Sequence, residues 1–199
     1  MDHTTITTYD LHAERFAADQ RAKTPQALYQ VVLAWFLPAG RSADLGCGSG
    51  RDTAWLNAHG FQAVGYDASA GMLAAGRAAY PHLDLRQSAL PDLAEIADGS
   101  YDNLLCSAVL MHLPPEALAR APVTLARVLR PGGRVVLTYR ASREQAEREH
   151  DGRLYTAIDD DHFAQAMTAA GLTILWREHN DSDQRSDVRW HVVVAERSR

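Results

Sequence analysis

A doubly wound α/β sheet, mostly parallel and covered by helices on both faces, is the fold class this sequence predicts. Three observations predict it. Short apolar runs alternate with Ala/Leu-rich stretches of helical length. A glycine cluster, residues 46–50, lies where the first such run meets the next helix. The last two apolar runs have no helix between them, which asks for one antiparallel strand near the C-terminal end.

Taken in order, Leu11 to Trp35 reads as one or two helices, with Pro25 as a first-turn residue of the second. Ser42 to Leu45 is a short strand running into Gly46-Cys47-Gly48-Ser49-Gly50. Arg51 to His59 is a helix stopped by Gly60, where a left-handed cap is wanted. Phe61 to Tyr66 reads as a strand ending in Asp67, and Ala70 to Tyr80 as a helix ended by Pro81. Leu83 to Arg86 is a short strand and Tyr101 to Ser107 a longer one. From Glu116 onward Leu118, Leu125, Val128 and Leu129 hold a helical face that Pro122 is expected to break or bend. The turn Pro131-Gly132-Gly133 feeds the strand Arg134 to Tyr139. One of Asp159, Asp160 and Asp161 caps a helix that stops at Gly171. Leu172 to Arg177 and Val188 to Ala195 are the final strands, joined by the polar loop His179 to Asp187.

The 199 residues are 46% apolar and 23% charged, which excludes a disordered or fibrous chain. A net charge of −5 argues against a grip on long phosphate backbones. No apolar stretch approaches the roughly 20 residues needed to span a bilayer. Met1 to Asp10 is polar, without a basic start or an apolar signal core. Cys47 and Cys106 match no metal motif and fit a reducing compartment. The expectation is a soluble, cytoplasmic chain of one domain.

In sheets of this kind ligands bind beyond the carboxyl ends of the strands, where the strand order reverses. The glycine loop falls there. Gly46, Gly48 and Gly50 let the backbone turn sharply and approach a ligand, and the following helix offers N–H groups that favour an anionic group. The spacing is G-x-G-x-G, not the G-x-G-x-x-G of dinucleotide enzymes. Asp67 closes the next strand, where a carboxylate can take two hydrogen bonds from ribose hydroxyls. The combination asks for a nucleoside without requiring a phosphate.

ADLGCGSG (residues 43–50), GYDAS (65–69), SYDNLLCSAVLMHL (100–113) and LRPGGRVVLTY (129–139) together resemble the class I S-adenosylmethionine-dependent methyltransferases, in their small-molecule branch. The resemblance implies a Rossmann-like sheet of about seven strands with an antiparallel last strand, and S-adenosyl-L-methionine as cofactor. It divides the single domain 1–199 into a helical lid segment (1–40), a cofactor-binding half (41–140) and a substrate side with the final β-hairpin (141–199). It puts Gly46, Cys47, Gly48 and Gly50 against the methionine part of the cofactor, with Asp44 near its amino group. Asp67 would hold the ribose. Ala68 and Met72 would line one face of adenine, Ala89 and Leu90 the other. Ser88 stands where many relatives have an Asp that receives the adenine amino group.

Methyl transfer is an in-line displacement, so alignment of the reactants comes first and a base is needed only for a protonated nucleophile. His112 is the candidate base and substrate contact: an ordinary imidazole suits proton removal at neutral pH, and the rate would fall below a pKa of about 6 to 7. Packing under the helix at Pro114 is its competing role. Tyr139 and Arg140, at the end of the fifth strand, are candidate substrate contacts, Arg140 for an acidic group. Tyr9 and Arg15 of the lid segment and Tyr155 of the tail join them. His179, Arg185, Arg189, Trp190 and His191 complete a basic and aromatic tail cluster, although alternation along a strand forbids Arg189, Trp190 and His191 from serving one pocket together. The three consecutive aspartates suit a helix N-terminus better than a metal, and no metal is expected.

The expected function is methyl transfer from S-adenosylmethionine to a small-molecule acceptor, releasing S-adenosylhomocysteine. The alternatives are a non-catalytic S-adenosylmethionine-binding sensor or partner subunit and a nicotinamide-dependent oxidoreductase. The expected partner is the small acceptor, with a homodimer left open, no membrane, and nucleic acid disfavoured.

Overall fold

The computed structural model describes residues 1–141, 147–180 and 189–199. Three helices come first, α1 (His3–Leu11), α2 (Ala13–Arg21) and α3 (Gln26–Trp35); the latter two fill the span Leu11 to Trp35 read as one or two helices, and α1 precedes it. Asp2 accepts the Thr5 N–H and caps α1; its residues are largely polar, so no apolar period announced it. The chain breaks at His12, and Pro25 is the N-cap of α3, one step before the first-turn place expected for it.

Strands and helices then alternate as expected: β1 (Arg41–Leu45), α4 (Arg51–Ala58), β2 (Gln62–Asp67), α5 (Ala70–Ala79), β3 (Leu85–Gln87), β4 (Tyr101–Ser107), α6 (Pro115–Val128), β5 (Leu129–Ala141). After β5 come a two-stranded ribbon, β6 (Glu147–Arg148) and β7 (Leu154–Tyr155), then α7 (Asp160–Ala169), β8 (Leu172–Asn180) and β9 (Arg189–Arg197). His179 and Asn180 belong to β8 rather than to the loop expected there.

The sheet has seven strands in the order β3-β2-β1-β4-β5-β9-β8, all parallel except β9, which runs antiparallel to both neighbours. The order reverses between β1 and β4, and that fixes the crevice at their carboxyl ends as the ligand-binding place. One face buries Leu105, Val136 and Val194 under Leu28 and Val32 of α3 and Leu56 of α4. The other buries Leu104, Val135, Leu137 and Val193 under α6 and α7, through Leu118, Leu125, Phe163 and Met167.

Two proline readings change. Pro122 leaves α6 unbroken, because Ala121, Leu125 and Val128 are fully buried against the sheet and hold the helix on course against the local cost. Pro131-Gly132-Gly133 is not a separate turn. It lies inside β5, at an irregularity between the Tyr101–Leu129 and Asn103–Arg134 pairs, with Gly132 at φ +77°. Among the described residues no helix is long and apolar enough to cross a membrane.

Candidate functional site

A cavity of about 710 Å³ opens at the switch point between β1 and β4, roofed by α1, α2 and the start of α3. The β1–α4 loop forms its floor. Gly46 has φ +75°, and a Cβ there would stand 2.1 Å from Val109 Cγ2. Gly48 has φ +57°, and a Cβ would lie 2.8 Å from Gln20 Oε1. Both glycines line the cavity. Gly50 does not; it caps α4 and faces Leu83 and Leu85.

Every backbone N–H of the loop is engaged within the protein. Gly46 and Cys47 donate to the Tyr66 carbonyl, at 2.7 and 3.0 Å, and Gly50 donates to Cys47 O. Gly48 donates to Asp67 Oδ2 at 2.8 Å, and Ser49 to Gln20 Oε1 at 2.8 Å. The first turn of α4 carries its own acid, Asp52, which accepts from the Tyr29 hydroxyl and from two nitrogens of Arg51. The expected free donors are therefore absent from residues 46–50: the glycines allow the loop to wrap on itself and present a bare backbone face.

Asp67 closes β2 at the cavity wall, its second oxygen taking the Ser69 N–H. Burial pushes its carboxyl upward, against the backbone N–H groups that hold it ionised. Ala68, Met72, Ser88, Ala89 and Leu90 share its wall. The Ser88 hydroxyl donates to Glu95 at 2.7 Å, so it meets the cavity as an acceptor. Asp44 and Cys47 lie beneath the loop, off the wall. Asp44 is buried and takes a hydrogen bond from Thr53 Oγ1; burial, reinforced by the Asp52 charge, raises it to about 8. Cys47 packs toward Gly65, and burial pushes its thiol up.

Across the cavity, at the ends of β4 and β5, stand Ser107, Ala108, Thr138 and His112. The Ser107 and Thr138 hydroxyls are 2.9 Å apart, and Ala108, at φ +60°, donates its N–H to Thr138. His112 sits in a 3-10 turn (Leu110–His112) and is buried. Its Nδ1 lies 2.6 Å from the Leu154 carbonyl, which fixes the proton on that nitrogen. Nε2 keeps its lone pair and faces the Tyr9 hydroxyl at 3.4 Å. Burial lowers this imidazole to about 4, well under the range expected from the sequence.

The remaining candidates divide. Tyr9 reaches the cavity; Arg15 is exposed and lies over the Phe16 ring. Tyr139 does not reach it, because side chains alternate along β5: Thr138 and Arg140 share one face, while Tyr139 is buried on the other, donating to Asp160 and stacked on His191 at 5.2 Å. Trp190 lines the cavity and His191 does not. Tyr155 stands behind His112, edge-on at 4.8 Å, with the Arg140 guanidinium 4.7 Å from its ring. Arg185, and the side chains of His179 and Arg189, lie outside the described residues. Asp159 caps α7, and the described residues contain no His/Cys/Asp/Glu group able to hold a metal. Gln20, Arg51, Asp52, Ser107 and Thr138 were missed. The pair Arg51-Asp52 beside a glycine loop was the readable signal; Gln20 offered none, since its role depends on where α2 lies.

The floor of bare glycine backbone, the strand-ending carboxylate and the apolar wall of Ala68, Met72 and Leu90 fit a nucleoside with a short charged tail. Arg51, Asp52, Lys23 and Asp19 line the tail end with both signs of charge.

Residues 43–137 match the family model described as a methyltransferase domain. The chain is 39% identical over 146 residues to trans-aconitate 2-methyltransferase of Deinococcus radiodurans, covering 71% of this chain and 48% of that one. It is 31% identical over 122 residues to ubiquinone biosynthesis O-methyltransferase of Xanthomonas oryzae pv. oryzae, covering 59% of this chain and 50% of that one. The chain thus spans about half the length of these curated relatives. The fold is also that of Burkholderia thailandensis 1,6-didemethyltoxoflavin-N1-methyltransferase, whose crystal structure holds 1,6-didemethyltoxoflavin and S-adenosylhomocysteine: TM-score 0.75, 21% identity, covering 98% of this chain and 88% of that one.

Proposed function

The chain belongs to the class I S-adenosylmethionine-dependent methyltransferases, and from that premise we propose that it transfers a methyl group to a small-molecule acceptor. When bound, S-adenosylmethionine supplies an electrophilic methyl group on a sulfonium and leaves as S-adenosylhomocysteine. The observation that carries the reading is Asp67 at the end of β2, facing the cavity beside the bare glycine backbone.

Asp67 is suited to accept the ribose hydroxyls, since its backbone N–H partners orient the carboxylate and leave lone pairs on its oxygens for further donors. Ala68, Met72 and Leu90 offer apolar faces for adenine, and Ser88 an acceptor for its amino group. Arg51, Asp52 and Lys23 provide opposite charges for a zwitterionic tail. Ser107, Thr138 and His112, across the cavity, would hold the acceptor, and α1 and α2 would exclude water from it. Most of the work assigned to these groups is alignment, which alone lowers a displacement barrier by several kcal/mol. The names of the curated relatives also support a small acceptor. A cytoplasmic setting belongs to the same reading, supported by two buried, unpaired cysteines.

Calorimetry with S-adenosylhomocysteine tests it. Binding is expected, with no competition from NAD. Asp67→Ala should lose charge-assisted hydrogen bonds of about 1.5 to 3 kcal/mol, roughly tenfold to a hundredfold in affinity. NAD binding without S-adenosylhomocysteine binding would overturn the reading, and an unchanged affinity in a folded Asp67→Ala protein would remove Asp67 from the ribose.

A further inference from the structure

We infer that Arg140 and Arg153, set around Tyr155 behind the acceptor wall, form a carboxylate-binding subsite, so that the acceptor is a planar organic acid; this rests on the methyl-transfer reading above. The first observation is an orphaned donor. Nε of Arg140 is buried and has no hydrogen-bond partner, alone in this among the side-chain nitrogens and oxygens of the described residues. A buried N–H left unpaired carries its full desolvation cost, so such a group is expected to have a partner in the working complex. Arg140 uses NH1 for Glu149 at 3.1 Å, which leaves the Nε edge of the guanidinium for a second acceptor.

The second observation is where Arg140 stands, one layer behind the cavity lining. Arg140 lies two residues beyond Thr138 on the same face of β5 and pairs with Trp190 of β9, and both Thr138 and Trp190 line the cavity. The third is the company it keeps. The Arg153 guanidinium carbon is 5.1 to 5.8 Å from the rings of Phe16, Tyr155 and Tyr9, and Phe16 and Tyr9 are themselves cavity residues. Both guanidiniums thus lie on the faces of Tyr9 and Tyr155, the two rings that flank His112, which is neutral at pH 7. Burial raises the Tyr9 phenol, which adds no negative charge there.

Glu149 pairs with Arg140 through NH1 and Asp151 with Arg153 through its Nε, contacts that hold the guanidinium planes and leave the Arg140 Nε free. Planar guanidinium forks match carboxylate geometry, and flat aromatic walls favour a flat carbon skeleton. A neutral amide of the same shape would bring an N–H to face the guanidinium and lose that match. The surroundings therefore select a flat acid over its neutral analogue.

The test uses the full chain loaded with S-adenosylhomocysteine, titrated calorimetrically with benzoate, cinnamate and sorbate and with the corresponding primary amides. At least one acid should bind tenfold or more tightly than its amide, and Arg140→Gln should reduce that preference to under threefold while leaving S-adenosylhomocysteine affinity and melting temperature near their original values. Arg140→Lys, which keeps the charge but not the planar fork, replaces it if the Gln variant fails to fold. Normal S-adenosylhomocysteine binding, with acids no tighter than amides or with a preference that survives the substitution, would overturn the subsite alone. Absence of S-adenosylhomocysteine binding would overturn the methyl-transfer reading, and the same acid–amide comparison on the unloaded protein would then decide whether Arg140 still selects a carboxylate.

Discussion

Asp44 and His112 titrate in opposite senses on folding, and each leaves its mark on stability. The Asp44 carboxyl rises from 3.8 to about 8, chiefly through burial and then through the charge of Asp52. Its contribution is complete below pH 4 and is lost as pH climbs toward 8; Asp67, also raised by burial, acts in the same direction. The His112 ring falls from 6.5 to about 4 through burial, so its contribution, at most about 3 kcal/mol, is present above pH 6.5 and lost as pH falls toward 4. Between pH 4 and 6.5 the two oppose each other. From pH 6.5 to 8 Asp44 acts with no opposition from His112, and stability should decline with rising pH. Asp44→Asn should flatten that decline in thermal unfolding curves; an equal slope in the variant would mean that Asp44 is ionised in the folded protein. Turnover should stay level from pH 6 to 8, since His112 is already neutral there, in place of the fall near 6 to 7 expected from an ordinary imidazole. The position of His112 was legible in the sequence. Its environment was not, because Leu154 and Tyr155 reach it from more than forty residues away.

At the level of elements, the glycine loop is completed by a helix that no motif announced. Gln20, in the last turn of α2, accepts from both N and Oγ of Ser49 and donates to Cys47 O at 3.2 Å. Gly48 is needed partly for φ +57° and partly because Gln20 occupies the place of a side chain. Gly48→Ala should lose about 1 to 2 kcal/mol for the left-handed backbone, plus the clash with Gln20. Gln20→Ala alone should lose about 1 to 3 kcal/mol by leaving the Ser49 N–H without its acceptor. Combined, the losses should sum to less than the two singles, because the clash is gone once Gln20 is shortened. Denaturant unfolding of the four proteins measures this, and strict additivity would show that the two residues do not touch. Elements with a strong period or a clear stop, such as α4 with Gly60 behind it and β4, were legible to within a residue or two. The reading failed where proline was taken at its local value: at Pro122 burial of the helix face against the sheet decided the backbone, and exposed Pro131 is absorbed as an irregularity within β5.

Over the whole molecule, the sheet and its crevice follow from the alternation of elements, but closure of the crevice depends on contacts between the ends of the chain. Leu154 N donates to Thr5 Oγ1 and Thr8 Oγ1 to Asp151 O, across separations of 149 and 143 residues, while Arg148 pairs with Asp2 at 2.8 Å. These tie α1 to the β6–β7 ribbon on the acceptor side. No local period reports such contacts, which is why the ribbon went unread and α1 was expected only as part of a helical lid, while β1 to β5 were read one by one. On the cofactor side the tie is Asp10, whose Oδ1 accepts from Ser69 Oγ at 2.6 Å and from Gly71 N at 2.9 Å. Ser69 in turn caps α5 by accepting the Met72 N–H, so Asp10 holds the wall that carries Ala68 and Met72. Asp10→Ala should therefore loosen α1 over the cavity while leaving Asp67 and the glycine loop in place. Affinity differences of this kind appear mainly in the dissociation rate. S-adenosylhomocysteine should leave the variant about tenfold faster, equivalent to one hydrogen-bonded latch of roughly 1.4 kcal/mol, with little change in its association rate. Stopped-flow release measurements decide the matter. An unchanged release rate in a folded Asp10→Ala protein would mean that α1 does not hold the cavity closed, and that the ribbon-side contacts alone position it.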